Sequence, residues 1–121
     1  MNGLVLENIN DYEFIYEMAN YDTRDSGLPY NIWFDEGHSL RKGKHKTPRV
    51  KVQVGDNLIP VSVSTQPEIL LKGHLLSEAE RVFSGSDRKK VFDFITKNYG
   101  VIISHWNGEI TTKAMLNALK P

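Results

Sequence analysis

Residues 49–64 read RVKVQVGDNLIPVSVS, and this stretch decides the fold. Val50, Val52 and Val54 alternate with Arg49, Lys51 and Gln53. A period of two puts alternate side chains on opposite faces of a strand. Gly55-Asp56-Asn57 supplies turn residues, and Leu58 to Ser64 alternates again, with Val61 and Val63 on its apolar side. Two such runs joined by a tight turn predict a β-hairpin with one face buried, with strands at about 49–54 and 58–64. Pro60 has no N–H for a ladder, which predicts an edge position or a bulge early in the return strand.

Upstream, Pro29 to Phe34 reads as a further strand, with Tyr30, Ile32 and Phe34 on one face and Trp33 on the other. Asp22 to Gly27 reads as a turn or loop. Residues 13–21 (EFIYEMANY) fit two patterns. Alternation favours a strand, while Asn10 or Asp11 would equally cap a short helix; strand is the preferred reading. Downstream, Pro67 to Gly73 suits a short extended piece, and Ser77 with Glu80 has capping-box spacing for a short helix ending near Gly85.

Val91, Phe92, Ile95, Tyr99, Ile102, Ile103 and Trp106 are spaced for one amphipathic helix over about 87–106, capped by Ser86 or Asp87. Gly100 would weaken or kink it, and Asn107-Gly108 would end it. Thr111 would cap a last helix with Met115, Leu116 and Leu119 on its apolar face. Strands followed by helices predict an α+β class: an antiparallel sheet built around the hairpin, with the long C-terminal helix packed on one face. Val50, Val52, Val54, Val61 and Val63 would then meet Phe92, Ile95, Tyr99 and Trp106.

The 121 residues suit one domain, and the 40% hydrophobic and 25% charged fractions are those of a globular chain. No run approaches the length of about 20 apolar residues needed to span a bilayer. Met1 to Asn10 lacks the basic-then-apolar order of a secretion signal. The absence of cysteine fits a reducing compartment, so a cytoplasmic location is expected. The net charge of zero hides a segregation. Residues 1–37 hold eight acids and one base, Arg24, whereas residues 38–51 hold six bases (Arg41, Lys42, Lys44, Lys46, Arg49, Lys51) and no acid.

Several short features are similar to a family of small bacterial proteins catalogued as domain of unknown function four-one-six-zero. They are the NIWF strand (31–34), a histidine-bearing loop running into His45-Lys46-Thr47-Pro48-Arg49-Val50, the hairpin, the Pro67-Glu-Ile-Leu-x-x-Gly73 step, and the end Trp106-Asn107-Gly108. The resemblance spans residues 29–108. In the family the loop before the hairpin is richer in His and Pro; here Lys and Arg take those places. The resemblance implies a fold and a bacterial or phage origin, with relatives often lying near toxin–antitoxin-like or mobile-element genes. It implies no reaction.

The dinucleotide, phosphate-loop and zinc-protease motifs and the nucleophile elbow are all missing, and no cofactor is expected. A zinc site needs three or four converging ligands. His38 and His45 share a loop with Asp35 and Glu36, but among lysines that oppose a cation, so no metal is expected. Asp87-Arg88-Lys89 has the acid-x-Lys spacing of some nucleases but opens a helix, where a cap and a solvated first turn explain it. His105, near a helix end, would complement the helix dipole.

The basic segment is the best candidate for function. Arg41, Lys42, Lys44, Lys46, Arg49 and Lys51 are suited to phosphate contacts, and Trp33 on the preceding strand to stacking. The plainer alternative makes Trp33 core and the lysines an edge guard. A third makes the segment, expected to be exposed, dock on an acidic protein surface. The expectation is a small macromolecule-binding protein with a protein or nucleic-acid partner and no membrane. A small hydrolytic or nuclease-like enzyme using acids and histidines of the 35–45 loop is the alternative.

Overall fold

A computed structural model describes residues 7–8, 18–35 and 47–121. The strands are β1 (Glu7–Asn8), β2 (Met18–Tyr21), β3 (Asn31–Asp35), β4 (Arg49–Val54) and β5 (Asn57–Ser62). They form one antiparallel sheet in the order β1-β5-β4-β3-β2. Five helices lie among the described residues: α1 (Thr23–Ser26), α2 (Gly73–Val82), α3 (Gly85–Lys97), α4 (Tyr99–Trp106) and α5 (Thr112–Ala118). The class is α+β, as the order of elements requires.

The hairpin forms as its period dictates. Val54 pairs with Asn57 across the two-residue turn Gly55-Asp56, so β5 starts one residue sooner than the pattern suggested and ends at Ser62. Gly55 has φ +63 and Asp56, like every other described non-glycine residue, has no positive φ, the pattern of a type II′ turn, whose first central position needs glycine. Pro60 lies inside the sheet, not at an edge. Its carbonyl faces away from β4 and accepts the Leu70 amide at 2.9 Å. The N and C=O of one residue in an antiparallel strand point the same way, so the missing N–H costs β4 no hydrogen bond. Residues 68–70 run beside that half of β5 through a Val61–Ile69 bridge, so the short extended piece is present.

Ile32, Phe34, Val50, Val52, Ile59 and Val61 project from one sheet face into a core completed by Ala79, Phe83, Val91, Phe94, Ile95, Ile102 and Met115. Tyr21 stacks on Phe94 with ring centroids 5.6 Å apart, and Phe83 meets Tyr30 and Phe92 edge-on. Val54 and Phe92 are only partly buried against this core.

Of residues 13–21, the described 18–21 are strand, as preferred, and 13–17 lie outside the described residues. Several other expectations are corrected. The turn after that strand is a one-turn helix, α1: Asp22 accepts the Arg24 amide and Gly27, at φ +74, closes it. The helix expected to begin at Ser77 begins at Gly73, and the Ser77 hydroxyl bonds back to the Gly73 carbonyl at 3.3 Å.

The single helix over 87–106 is two. Its start is Gly85, preceded by Ser84 without a side-chain cap bond, and it breaks at Asn98 rather than at Gly100. Asn98 has φ −105 and ψ 17 and is 3% exposed. Its Nδ2 donates to the Phe94 and Lys120 carbonyls at 3.0 and 2.9 Å, and its Oδ1 accepts the Lys120 amide at 2.9 Å. The break resets the helical phase: Ile102 enters the core, Tyr99 is left 38% exposed, and Trp106, though buried, lies outside the cluster on the sheet.

Two terminations hold as read. Gly108 at φ +80 donates to the His105 carbonyl, and Glu109 to that of Ser104, the paired bonds of a Schellman end. Thr111 accepts the Ala114 amide at 3.0 Å, capping α5. No helix among the described residues is long and apolar enough to cross a membrane.

Candidate functional site

The face of the sheet opposite the helices carries the described part of the candidate site. Pleating sends Arg49, Lys51 and Gln53 of β4 to this side, because Val50 and Val52 go to the other. Trp33 of β3 sits directly across from Lys51, and Lys51 across from Pro60 of β5. The structure thus brings Trp33, Arg49 and Lys51 onto one face, as alternation from the core residues requires.

Their environments differ. Trp33 is half-buried and its indole N–H donates to Gln53 Oε1 at 2.9 Å, while Gln53 Nε2 donates to the Gly55 carbonyl at 3.2 Å. The ring is therefore held in place from the neighbouring strand, with part of its surface open. Arg49 is half-buried and its Nε donates to the Thr47 carbonyl at 3.3 Å. Lys51 is 1% exposed. That corrects the expectation of exposure along the whole of 38–51: at its C-terminal end Val50 and Lys51 are both buried. The ammonium cannot reach a solvent phosphate without a rearrangement, and both Arg49 and Lys51 are engaged by other groups. Burial of a lysine is tolerated only when its charge is matched by partners.

Arg41, Lys42, Lys44 and Lys46 lie outside the described residues, as do Glu36, His38 and His45. Asp35 is the last residue of β3. Among the described residues no three His, Asp or Glu side chains are grouped to hold a metal ion. His74 is exposed in the first turn of α2. His105 lies in the last turn of α4, as read; it is 3% exposed, with Nε2 2.9 Å from the Thr112 hydroxyl, so it also joins α4 to α5. Asp87, Arg88 and Lys89 sit near the start of α3, where Arg88 meets Glu80 at 3.9 Å and Lys89 meets Asp93 at 3.0 Å, so the acid-x-Lys triplet has local electrostatic employment.

Sequence reasoning missed Gln53 as the partner of Trp33 and Asn98 as a buried joint. The register of β3 against β4 reveals the first, because residues two apart on facing strands come within reach of long side chains. For the second, an asparagine among apolar residues at a mid-helix position was the available signal, since asparagine favours boundaries over helix interiors.

Fold and site define an α+β protein: a five-stranded antiparallel sheet with helices on one face and an aromatic-basic cluster on the other. In comparisons with known proteins the chain matches no family model, no curated protein and no solved structure.

Proposed function

We propose that this is a small macromolecule-binding protein that acts through its basic segment, residues 38–51, on an anionic partner, either a nucleic acid or a protein with an acidic face. The observation that carries the reading is the segregation of charge: six bases and no acid within 38–51, after a net of −7 in residues 1–37. A run of one sign raises the local concentration of oppositely charged partners and accelerates encounter. Trp33 supports it, as a ring held by Gln53 on the same sheet face as Arg49 and Lys51. Because Lys51 is buried, the contacts fall to Arg41, Lys42, Lys44, Lys46 and, in part, Arg49. A cytoplasmic location and a bacterial or phage setting belong to the same proposal. They are supported by the lack of cysteine and by the family resemblance.

The test is the combined change Arg41→Ala, Lys42→Ala and Lys44→Ala. With a nucleic acid, losing roughly three phosphate contacts should lower the slope of log affinity against log salt by about 2–3. With an acidic protein, nucleic-acid affinity is negligible in the parent and the triple change slows association. Unchanged stability with unchanged binding to every partner found would reduce the segment to a solvated edge guard. The hydrolytic alternative on Asp35, Glu36, His38 and His45 requires an activity that depends on divalent metal, and its assay is phosphodiester cleavage with and without chelator.

A further inference from the structure

The row of side chains that crosses the sheet at Trp33 is open at one end and closed at the other. It runs through Asn20 of β2, Trp33 of β3, Lys51 of β4 and Pro60 of β5, each directly opposite the next. Opposed residues of antiparallel strands share a face, so all four stand on the side away from the helices. Asn20 is exposed, Trp33 is half-buried, and Lys51 and Pro60 are buried. Solvent therefore reaches the indole from the β2 side, past Asn20.

Of the amide side chains around the ring, two are engaged and one is not. Asn31 Oδ1 accepts the Thr23 amide at 2.9 Å. Gln53 uses both ends: Oε1 accepts the indole N–H at 2.9 Å and Nε2 donates to the Gly55 carbonyl at 3.2 Å. Gln53 sits two residues beyond Lys51, the residue opposite Trp33, so this bond draws the indole diagonally over β4 and fixes its orientation. Asn20 makes no side-chain hydrogen bond among the described residues. At this register its Cβ stands about 5 Å from that of Trp33. One donor and one acceptor are thus placed beside a ring that cannot turn away.

We infer that the partner is a single-stranded nucleic acid, one base of which stacks on the open face of Trp33 while its edge pairs with the Asn20 amide. This rests on the role proposed for the basic segment, which leaves β3 at Asp35, two residues and about 7 Å from Trp33, and returns into β4. The segment supplies phosphate contacts, and the row supplies the base site. Three properties select the single strand. Every base has a π-face for an aromatic ring, but inside a duplex neighbouring base pairs cover it. A side-chain amide offers a donor and an acceptor side by side, the pattern that base edges match. An acidic protein offers carboxylates, which the negative face of an indole repels and which its N–H, already held by Gln53, does not attract.

The experiment titrates the whole protein with an oligothymidylate of about ten nucleotides, its duplex with oligoadenylate, and polyglutamate. Saturable binding of the single strand is expected, with the duplex at least about tenfold weaker and polyglutamate inert. The single strand should quench tryptophan fluorescence, and Trp33→Phe should abolish that quenching although the buried Trp106 remains. Trp33→Ala should weaken binding roughly 5–150-fold, the range for one lost base stack. Asn20→Ala, at an exposed position that keeps the fold intact, should weaken it about threefold. Neither change removes a charge, so the slope of log affinity against log salt should stay the same, whereas the triple change in the basic segment lowers it. Equal affinity for the duplex, or unchanged single-strand affinity in Asn20→Ala or in folded Trp33→Ala, would overturn the base site and leave the role of the basic segment standing. Binding of polyglutamate but not of the single strand would overturn it in favour of an acidic protein. Binding of none of the three probes would overturn it as well, and the triple change then decides separately whether the basic segment has any partner.

Discussion

The two faces of the sheet are built from the same three strands, one residue out of phase, and both are buried over much of their area by different means. Toward the helices stand Ile32, Phe34, Val50, Val52, Ile59 and Val61, all at 1% exposure or less. Away from them stand Trp33, Lys51, Gln53, Leu58, Pro60 and Ser62, of which Leu58 and Lys51 are as hidden as any core residue. The first face needs only shape, because dispersion and the release of water act without direction. The second must also satisfy each donor and acceptor it hides: Trp33 by Gln53, Ser62 by the Glu68 amide that it accepts at 3.0 Å. Polar burial of this kind specifies neighbours one by one.

The sharpest way to break the comparison is to truncate one residue from each face. Phe34→Ala on the helix side should lose about 3–5 kcal/mol of unfolding free energy in urea denaturation, by emptying a ring-sized space in a close-packed core. Loss below about 1 kcal/mol would show that this face is loosely packed. A polar joint within the helix layer comes next. Asn98→Ala should cost roughly 1–3 kcal/mol, because it strands the Lys120 amide and carbonyl and the hydrogen bond back to Phe94. Amide exchange should then speed up selectively over 112–121, and uniform acceleration would refute the joint.

On the opposite face, Trp33→Phe keeps a ring but removes the N–H held by Gln53, and should cost about 0.5–1.5 kcal/mol. A loss as large as that of Phe34→Ala would erase the distinction between the faces.

The smallest effect is one of pH. Burial, reinforced by Asp25, raises the Tyr21 hydroxyl above its ordinary 10.0, and burial, reinforced by Asp87, does the same for Tyr30. The unfolded chain gives up these protons first as pH rises through about 10, so the folded state holds more protons there and stability falls with pH above that point. Below it both states are protonated and the tyrosines contribute no slope. Tyr30→Phe should make the alkaline decline shallower, measured as urea midpoints from pH 8 to 11; an unaltered decline would assign it to other groups.

Much of this molecule was legible in its residues. The strand 49–54, a tight turn starting at Gly55, the Thr111 cap and the Gly108 helix end each depend on neighbours within a few positions, and period, φ tolerance and side-chain capping act at that range. That Trp33, Arg49 and Lys51 share a face also follows from alternation alone.

What only the tertiary structure decided depends on partners far away in the chain. The break at Asn98 exists because Lys120, 22 residues on, offers both an amide and a carbonyl to its side chain. A hydrophobic stripe running through 91–106 carries no trace of that, so it reads as one helix. Pro60 is admitted to the sheet interior because its N faces the 68–70 segment rather than β4, a matter of register that composition does not encode. Lys51 is buried for a related reason. Alternation assigns a residue to a face but not the cover on that face, and whether a lysine meets water or protein is settled by what the rest of the chain lays across it.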